Sequence, residues 1–443
     1  MQHPAIFFRF CFGAIPRIVP LLLSTLIVYG LIGLAFSAEP VKPAGDLPAD
    51  GIYPQGRKLA FAGYSGDPAR DLSNGFTLAG PVYGDQKPYL ERCLANDWPV
   101  IAHIGPSITF NDKAPNKYKV DPASLQNEVE QQVKQLAKHK QVAWWAIRPE
   151  ELRWWRKDEM QYLDILCKTI RDNDLLDRPI YMYNPNHRDA NSLIPIAEHV
   201  HVLAKGCYVN HVGRKRDRAW VRWSVEQEIE ALKAAGRPDA IPLVMPELCK
   251  DPEPDEDGEI RAWVRHDVYL GLASGAKGVL IWSLFRRTQV KRTWQLWYDA
   301  YSECAQELNG ELGLSQVFLF GERMATLAVQ PTADSNATTV TLGGDAEVTT
   351  TTEQEREQRR VEVPSWTAAE YSYDGRRWLF LINSANTPAT FNLSGFPPGS
   401  EVSDTFSGQR IDIQPDQPWK LQLPAYGVCG VRWAEGTTGS PQP

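Results

Sequence analysis

Between Arg57 and residue 314, short apolar runs alternate with segments in which apolar residues recur every three to four positions. Short apolar runs are typical of buried strands, and the periodic segments are typical of amphipathic helices. Strands that alternate with helices indicate βαβ units, and eight such units predict a closed (β/α)8 TIM barrel. We assign the eight strands to Leu59–Tyr64, Phe76–Tyr83, Pro99–Ile104, Val142–Ile147, Pro179–Tyr183, Val200–Tyr208, Ile241–Met245 and Gly278–Leu284.

The clearest helix signal begins at Asp121, where an Asp-Pro pair supplies an N-cap and a proline for the first turn. The two helices that should precede it carry weaker patterns. The helical segments that we predict are Asp121–His139, Asp158–Asp172, Val221–Ala235, Glu259–Ser274 and Thr293–Leu308.

The pattern changes after about residue 315, where helical periodicity ends and short strands with turn-forming residues follow. This predicts an all-β sandwich over residues 315–434, after an α/β barrel at residues 57–314. Residues 435–443 are expected to form a flexible tail. The predicted sandwich strands are Met324–Gln330, Thr338–Leu342, Glu347–Thr352, Ala369–Tyr373, Arg377–Asn383, Ala389–Leu393, Glu401–Thr405, Gly408–Ile413, Trp419–Leu423 and Gly427–Trp433.

The amino terminus has the pattern of an export signal. Two arginines precede the apolar segment Ile18–Phe36, whose end fits a small-x-small cleavage site. We predict a signal peptide at residues 1–38 and a linker at residues 39–56, and therefore a secreted or periplasmic protein. The alternative is an uncleaved anchor, because the segment approaches the ~20 residues that span a bilayer. In that case the protein would also contact a membrane.

Composition narrows the range of partners. The net charge of -7 gives no polyanion-binding footprint, so nucleic acid is not expected as a partner. The 15 Trp and 16 Tyr fill large cores or serve as stacking platforms, since an apolar ring face matches the C–H face of a sugar.

The seven Cys are scattered, so buried free thiols are the default interpretation. One disulfide between Cys207 and Cys249 is the alternative, and no metal or cofactor is predicted.

Polar and aromatic residues gather at the carboxyl ends of the predicted strands, where parallel barrels place their active sites. Strand four ends in Pro-Glu-Glu, with Glu150 and Glu151, and strand seven ends in Pro-Glu, with Glu247. These two strands lie on opposite sides of an eight-stranded barrel, and glycosidases use two such facing carboxyl groups. The candidate substrate-binding residues at the strand ends are Tyr64, Asp67, Tyr83, His103, Tyr183, Asn184, Tyr208, Asn210 and Trp282.

With these motifs the chain resembles the clan A glycoside hydrolases, in which a (β/α)8 barrel precedes a β-sandwich. The resemblance covers about residues 57–434 and includes the strand GVLIWSL and the sandwich segment YSYDGRRWLFLINSANTPATFNL. It implies that Glu150 in WAIRPEEL is the acid/base, that Glu247 in LVMPEL is the nucleophile, and that Trp282 contacts the sugar. The clan usually has Asn before the acid/base, whereas this chain has Pro149, so Glu151 is kept as the alternative acid/base.

Three functions follow from the sequence. The first is an exported glycoside hydrolase that acts on an oligo- or polysaccharide by a two-carboxylate, retaining mechanism. The second is a non-catalytic glycan-binding barrel, which Pro149 motivates. The third is a metal-dependent barrel enzyme, although no HxH or HxxE spacing supports its ligands. Those ligands would be His103, His187, His211 and Asp67.

Several of these residues also have simpler structural interpretations. Asp67 and Asp85 could cap the helices that follow them, and a Pro-Glu pair could start a helix. Trp144 and Trp145 point to opposite sides of a strand, so at most one faces the barrel interior. The basic run from Arg214 to Arg218 is interpreted as a solvated loop. The alternative is a basic rim for acidic sugars, formed with Arg286, Arg287, Lys291 and Arg292.

Overall fold

Seven parallel strands form one curled sheet, and helices pack around it as in a TIM barrel. The computed structural model describes residues 57–149, 152–210, 218–332, 339–342, 361–414 and 417–435, all within one compact unit, Lys42–Pro443. The predicted signal peptide, the linker and residues 436–443 lie outside the described residues. In the spatial order β1-β7-β6-β5-β4-β3-β2, the strands are β1 (Ala60–Gly63), β2 (Val100–Ile104), β3 (Val142–Ile147), β4 (Ile180–Asn184), β5 (Val202–Gly206), β6 (Ile241–Met245) and β7 (Gly278–Ile281).

The second predicted strand, Phe76–Tyr83, is shorter than the sequence suggested. It makes single bridges to β1 and to β2 instead of a continuous ladder. Thr77 N donates to Phe61 O at 3.0 Å on the β1 side. Gly80 has a φ of 81°, and Pro81 has no N–H, so pairing stops there. The segment therefore joins the two edges of the sheet without being a regular strand.

Successive side chains of β3 and β4 alternate between two cores, as a pleated strand requires. Trp144 and Tyr181 belong to one core, which also contains the side chains of β1 and β7. Trp145 and Met182, their neighbours in sequence, pack among the helices on the other side of the sheet. The sequence prediction that Trp144 and Trp145 lie on opposite sides is confirmed.

The helices begin and end close to the predicted segments. Asp121 caps its helix by accepting a hydrogen bond from Ala123 N at 3.2 Å. The helices are α1 (Pro68–Ser73), α2 (Lys87–Ala95), α3 (Pro122–Leu136), α4 (Lys157–Asn173), α5 (Ala190–Ala197), α6 (Trp220–Ala234), α7 (Ile260–Ala273), α8 (Trp294–Asn309) and α9 (Leu314–Phe320). No helix in the described part of the chain combines the length and the apolar character needed to cross a bilayer.

The contact between α7 and β6 leaves no room for a side chain at Gly271. A Cβ placed there would lie 2.5 Å from the side chain of Val244. Gly271→Ala should therefore destabilise the fold by about 1–3 kcal/mol, although alanine favours a helix interior by about 1 kcal/mol over glycine. Denaturant unfolding measures the change. Gly258→Ala is the control, because a Cβ there meets nothing within 4 Å. Equal stability of both variants would show that the α7–β6 contact is not tight.

The carboxyl-terminal region is built from antiparallel strands, as predicted. A six-stranded sheet has the order β16-β15-β18-β13-β12-β8, a three-stranded sheet has the order β17-β14-β9, and β10 pairs with β11. The strands are β8 (Glu322–Met324), β9 (Ala328–Pro331), β10 (Thr339–Leu342), β11 (Val361–Pro364), β12 (Trp366–Tyr373), β13 (Arg376–Asn383), β14 (Ala389–Ser394), β15 (Val402–Asp404), β16 (Arg410–Ile411), β17 (Trp419–Leu423) and β18 (Val428–Ala434).

The predicted single strand Met324–Gln330 is wrong, because its residues belong to two strands in different sheets. β8 pairs with β12, whereas β9 pairs with β14. The chain turns between them, where Thr326 N and Leu327 N donate to the Glu370 carboxylate at 2.7 and 3.0 Å. A side chain from β12 thus takes the hydrogen bonds that would otherwise continue the ladder. The predicted strand Glu347–Thr352 lies outside the described residues.

The six-stranded sheet is covered on both faces. One face packs on the three-stranded sheet through a core that includes Leu381 and Phe391. On the other face, Phe380 of β13 lies 4.6 Å from Phe318 of α9 and 6.0 Å from Tyr269 of α7, measured between ring centroids. Barrel and sandwich therefore share one apolar core.

Candidate functional site

A cleft of about 560 Å³ opens beside the carboxyl ends of the strands. Tyr183 comes from β4 and Trp282 follows β7, so the cleft lies on the side where parallel barrels carry out their chemistry. Two of its rings are unusually open, with Tyr83 40% and Phe285 52% exposed. The cleft is lined by Tyr83, Tyr183, Trp282, Phe285, Arg286, Arg287, Thr288 and Gln289.

Aromatic rings continue from the cleft into the barrel. Tyr208 lies 4.6 Å from Trp282 and 6.3 Å from Tyr183 in stacked geometry, and Tyr64 stacks on Tyr83 at 5.2 Å. Burial raises the pKa of Tyr208 well above its usual value, so this phenol stays neutral. Tyr64 and Tyr208 are themselves buried and pack behind the cleft, so the exposed Tyr83 ring is the one of this group that can stack on a sugar C–H face.

Glu247 lies two residues beyond the end of β6, which is the seventh strand of the sequence prediction. Its backbone is bonded to the end of β7. Trp282 N donates to Pro246 O at 2.9 Å, and Leu248 N donates to Trp282 O at 2.8 Å. The Tyr301 hydroxyl donates to Glu247 O at 2.8 Å. These bonds bridge the backbone of Glu247 to that of Trp282, at the ends of β6 and β7.

The Glu247 carboxylate is held by two donors and is only 1% exposed. Asn210 N donates to one of its oxygens, and Cys249 Sγ lies 3.4 Å from the other. Donors of this kind stabilise the charged form of a carboxylate. The carboxylate is shielded from bulk water, so a substrate reaches it only when neighbouring side chains move aside.

A buried polar network supports Asn210 from behind. Arg218 Nη2 donates to Asn210 Oδ1 at 3.1 Å, and Arg218 Nη1 pairs with Asp267 Oδ2 at 2.5 Å. Asp267 also accepts from His266 Nδ1 at 2.8 Å, and His266 Nε2 contacts a serine of the sandwich, Ser384 Oγ, at 2.9 Å. Arg218 is 0% exposed. The interpretation of Arg218 as part of a solvated loop is therefore wrong, because its charge is neutralised inside the fold.

The proposed disulfide is absent, because Cys207 and Cys249 are both free thiols. Cys207 Sγ contacts Lys205 O at 3.6 Å, whereas Cys249 Sγ contacts Glu247. Burial and the neighbouring Glu247 raise the pKa of the Cys249 thiol, so it stays protonated and acts as a donor. The default interpretation of buried thiols holds for this pair.

His103, at the end of β2, is buried and its ring is neutral. Burial, followed by the nearby Arg148 charge, lowers its pKa to about 3 against the opposing effect of backbone hydrogen bonds at Val82 and Ala146. Its backbone is bracketed by Gln86, whose side chain accepts from His103 N at 2.7 Å and donates to His103 O at 2.9 Å. A neutral imidazole in this place is suited to hydrogen bonding and not to a charge-based role.

The lowered pKa of His103 makes a prediction for stability. Between pH 6.5 and about 3 the unfolded chain binds a proton at His103 that the folded chain does not. The contribution of this group is fully present above pH 6.5 and is lost as the pH falls toward 3, at up to about 1.4 kcal/mol per pH unit. His103→Asn should flatten the dependence of the unfolding free energy on pH between 6.5 and 4.5. Parallel slopes for the two proteins would contradict this.

Two predicted substrate-binding residues have structural roles instead. Asn184 is 0% exposed. Its Nδ2 donates to Met182 O and Ala204 O, both at 3.3 Å, and its Oδ1 accepts from Arg188 Nη1 at 2.9 Å. Its amide is used up within the barrel wall, so the prediction that Asn184 contacts substrate is wrong.

Asp67 is a helix cap, the alternative that the sequence left open. It accepts from Arg70 N at 3.0 Å at the start of α1, and this bond lowers the pKa of its carboxyl group. It also pairs with Arg92 at 3.2 Å. These contacts tie Asp67 to α1 and α2, and it does not line the cleft.

Glu150, Glu151 and His211 lie outside the described residues. Arg148, two residues before Glu150, is described, and its guanidinium donates to Val82 O at 3.3 Å and to Gly84 O at 3.1 Å. The end of β3 is thereby fastened to the segment that carries Tyr83. Within the described ranges, no three His, Cys, Asp or Glu side chains are arranged to hold a metal ion.

The sequence did not single out three residues that contact the site. Tyr181 pairs with Tyr64 through their hydroxyls at 2.8 Å, and the period of two from Tyr183 would have indicated it. Cys249 stands two positions after Glu247 and was considered only as a disulfide partner. Tyr301 comes from α8, and no local signal relates it to Glu247.

No protein-family model matches this chain, and no curated protein matches it. Among solved structures, an α-amylase from Geobacillus thermoleovorans is similar over 86% of this chain and 100% of its own, with 10% identity and a TM-score of 0.47. A GH30 endoxylanase from Clostridium papyrosolvens is similar over 85% and 97%, with 11% identity and a TM-score of 0.47. A GH27 β-L-arabinopyranosidase from Geobacillus stearothermophilus is similar over 86% and 75%, with 10% identity and a TM-score of 0.42. At TM-scores below 0.5 these similarities carry no weight for function.

Proposed function

We propose that the protein is an exported glycoside hydrolase that cleaves O-glycosidic bonds with two carboxyl groups. One observation carries the proposal: Glu247 follows a barrel strand, its buried carboxylate is held by Asn210 N and Cys249 Sγ, and its backbone is bridged to that of Trp282, which lines the aromatic cleft. Export rests on the sequence pattern of residues 1–38.

In the proposed retaining mechanism, Glu247 attacks the anomeric carbon while Glu150 protonates the leaving oxygen, and the glycosidic bond breaks. Glu151 is the alternative acid. Glu150 then takes a proton from a water molecule, which attacks the glycosyl ester and releases Glu247. The donors Asn210 N and Cys249 Sγ favour an ionised nucleophile, while the acid requires a raised pKa, so the rate should follow a bell-shaped pH profile.

The test is a panel of natural oligo- and polysaccharides incubated with the full chain. We expect release of reducing ends from at least one member, and NMR of the first-formed product should show the same anomeric configuration as the substrate. A product of inverted configuration would show that Glu247 acts as a general base that activates water, and not as the nucleophile.

The second candidate is a non-catalytic glycan-binding protein, and the burial of Glu247 favours it. A carboxylate that is only 1% exposed is closed to a sugar until the site rearranges. Pro149 in the place of the usual Asn points the same way. Glycan binding measured by calorimetry, with no turnover on any member of the panel, would select this candidate over hydrolysis.

A further inference from the structure

The cleft carries two positive charges. Arg286 and Arg287 line it, and none of the described Asp and Glu residues does. Neither arginine is in an ion pair within the described part of the chain. The other described arginines of the predicted basic run and rim behave differently, since Arg218 pairs with Asp267 and Arg292 with Asp257.

Arg287 is held in place by aromatic rings and a serine hydroxyl. Its guanidinium carbon lies 4.0 Å from the Trp282 ring centroid and 5.8 Å from that of Tyr83. Its Nη2 donates to Ser283 Oγ at 3.2 Å. A guanidinium has five N–H donors, so this anchoring leaves donors for a ligand in the cleft. Arg286 stacks on Trp294 at 4.2 Å and adds a second positive charge.

A planar guanidinium that is fixed over an aromatic ring matches an oxyanion, because two parallel N–H groups bind two oxygens at once. We propose that the cleft binds a glycan with an anionic substituent, either the carboxylate of a uronic acid or a sulfate ester, and that Arg287 is its ligand. The inference rests on the proposed function only in taking this cleft as the sugar site. The sugar ring would stack on Phe285, which is exposed, because the Trp282 ring is covered by Tyr208 and by the Arg287 guanidinium.

Arg287 has a competing role that the experiment must separate. Burial and Glu247 raise the pKa of the Cys249 thiol while the charge of Arg287 lowers it, so Arg287 lies within electrostatic reach of the Glu247 carboxylate. An arginine that served only to balance that charge would affect every substrate alike. A ligand for an anionic substituent affects anionic glycans alone.

The experiment measures binding and hydrolysis on matched pairs of glycans with the full chain. The pairs are uronic-acid oligosaccharides with their carboxyl-reduced counterparts, and sulfated oligosaccharides with their desulfated counterparts. We expect one anionic member to bind at least about tenfold more tightly than its neutral counterpart. Arg287→Ala should remove this preference through KM with kcat little changed, and Arg287→Lys should restore only part of it.

Lys291→Ala is the control, because Lys291 is an exposed cation of the same segment that does not line the cleft. The carboxylate and sulfate pairs show which substituent is bound. Equal affinity within every pair, or an equal loss on neutral and anionic glycans in Arg287→Ala, would overturn the inference. Binding of anionic glycans that depends on Arg287, without turnover of any glycan, would support this inference and refute the proposed hydrolase function. Turnover of neutral glycans, with no preference for anionic glycans that depends on Arg287, would support the hydrolase function and refute this inference.

Discussion

Glu247→Gln should lower kcat by about 10³-fold or more on any substrate that the protein hydrolyses. The substitution keeps the shape of the side chain and removes the charge that attacks the anomeric carbon. The glutamine amide must also accommodate the donors Asn210 N and Cys249 Sγ, so one NH2 hydrogen faces a donor. We expect a stability loss of about 1–3 kcal/mol, to be measured by denaturant unfolding beside the kinetics.

Glu91→Gln is the matched control, because Glu91 lies exposed on α2, outside the cleft. Its activity and stability should equal those of the wild type. A chemical rescue makes the assignment sharper: azide should restore turnover of Glu247→Ala by attacking the anomeric carbon in place of the carboxylate, which gives a glycosyl azide of inverted configuration. Full activity of Glu247→Gln would remove Glu247 from the mechanism and with it the proposed hydrolase.

The same assay separates the two acid/base candidates. Glu150→Gln and Glu151→Gln should differ, with loss of turnover in the variant that lacks the acid and near-normal rates in the other. The loss should be smallest on substrates with a good leaving group, because such groups depart without protonation.

Asp267→Asn should destabilise the protein by about 3–5 kcal/mol, the largest stability effect that we expect. The Asp267 and Arg218 side chains are buried and pair at 2.5 Å. Burial lowers the pKa of His266, so this ring is neutral and Asp267 accepts from both of its neighbours. Asparagine would direct an NH2 group at one donor and leave the Arg218 charge unpaired, which is costly in a dry interior.

Thermal and denaturant unfolding measure this change, and Glu401→Gln is the control. Glu401 pairs with Arg410 on the surface of the sandwich, where both side chains are mostly exposed, so its loss should change stability by less than about 1 kcal/mol. Ser384→Ala removes only the bond from His266 to the sandwich and should cost about 1 kcal/mol. A stability loss below 1 kcal/mol in Asp267→Asn would show that the buried pair of Asp267 and Arg218 contributes little to the stability of the fold.

The network also connects stability to the site. Asp267 holds Arg218, Arg218 holds Asn210, and the Asn210 backbone donates to the Glu247 carboxylate. We therefore expect Asp267→Asn to lower kcat at temperatures where the variant is still folded.

The sequence by itself determined the architecture and the strand end that carries Glu247. Periodicity is a local property, so it located the seven barrel strands, the helices and most sandwich strands. It also separated Trp144 from Trp145, because successive side chains of a strand face opposite ways. Periodicity overestimated the length of the strands predicted at Phe76–Tyr83 and Met324–Gln330. In both segments apolar residues continue, although the backbone pairing stops in the first and changes sheet in the second.

Only the tertiary structure decided what each polar side chain does. Asn184 and Arg218 looked like rim or loop residues, but their partners, Ala204 on β5 and Asp267 on α7, lie on other elements. Cys249 turned toward Glu247 and not toward Cys207. Hydrogen bonds and ion pairs depend on distances between elements that are remote in sequence, and no local pattern encodes these distances. For the same reason, the position of Arg287 over the Trp282 ring in an aromatic cleft became visible only when the tertiary structure brought the strand ends together.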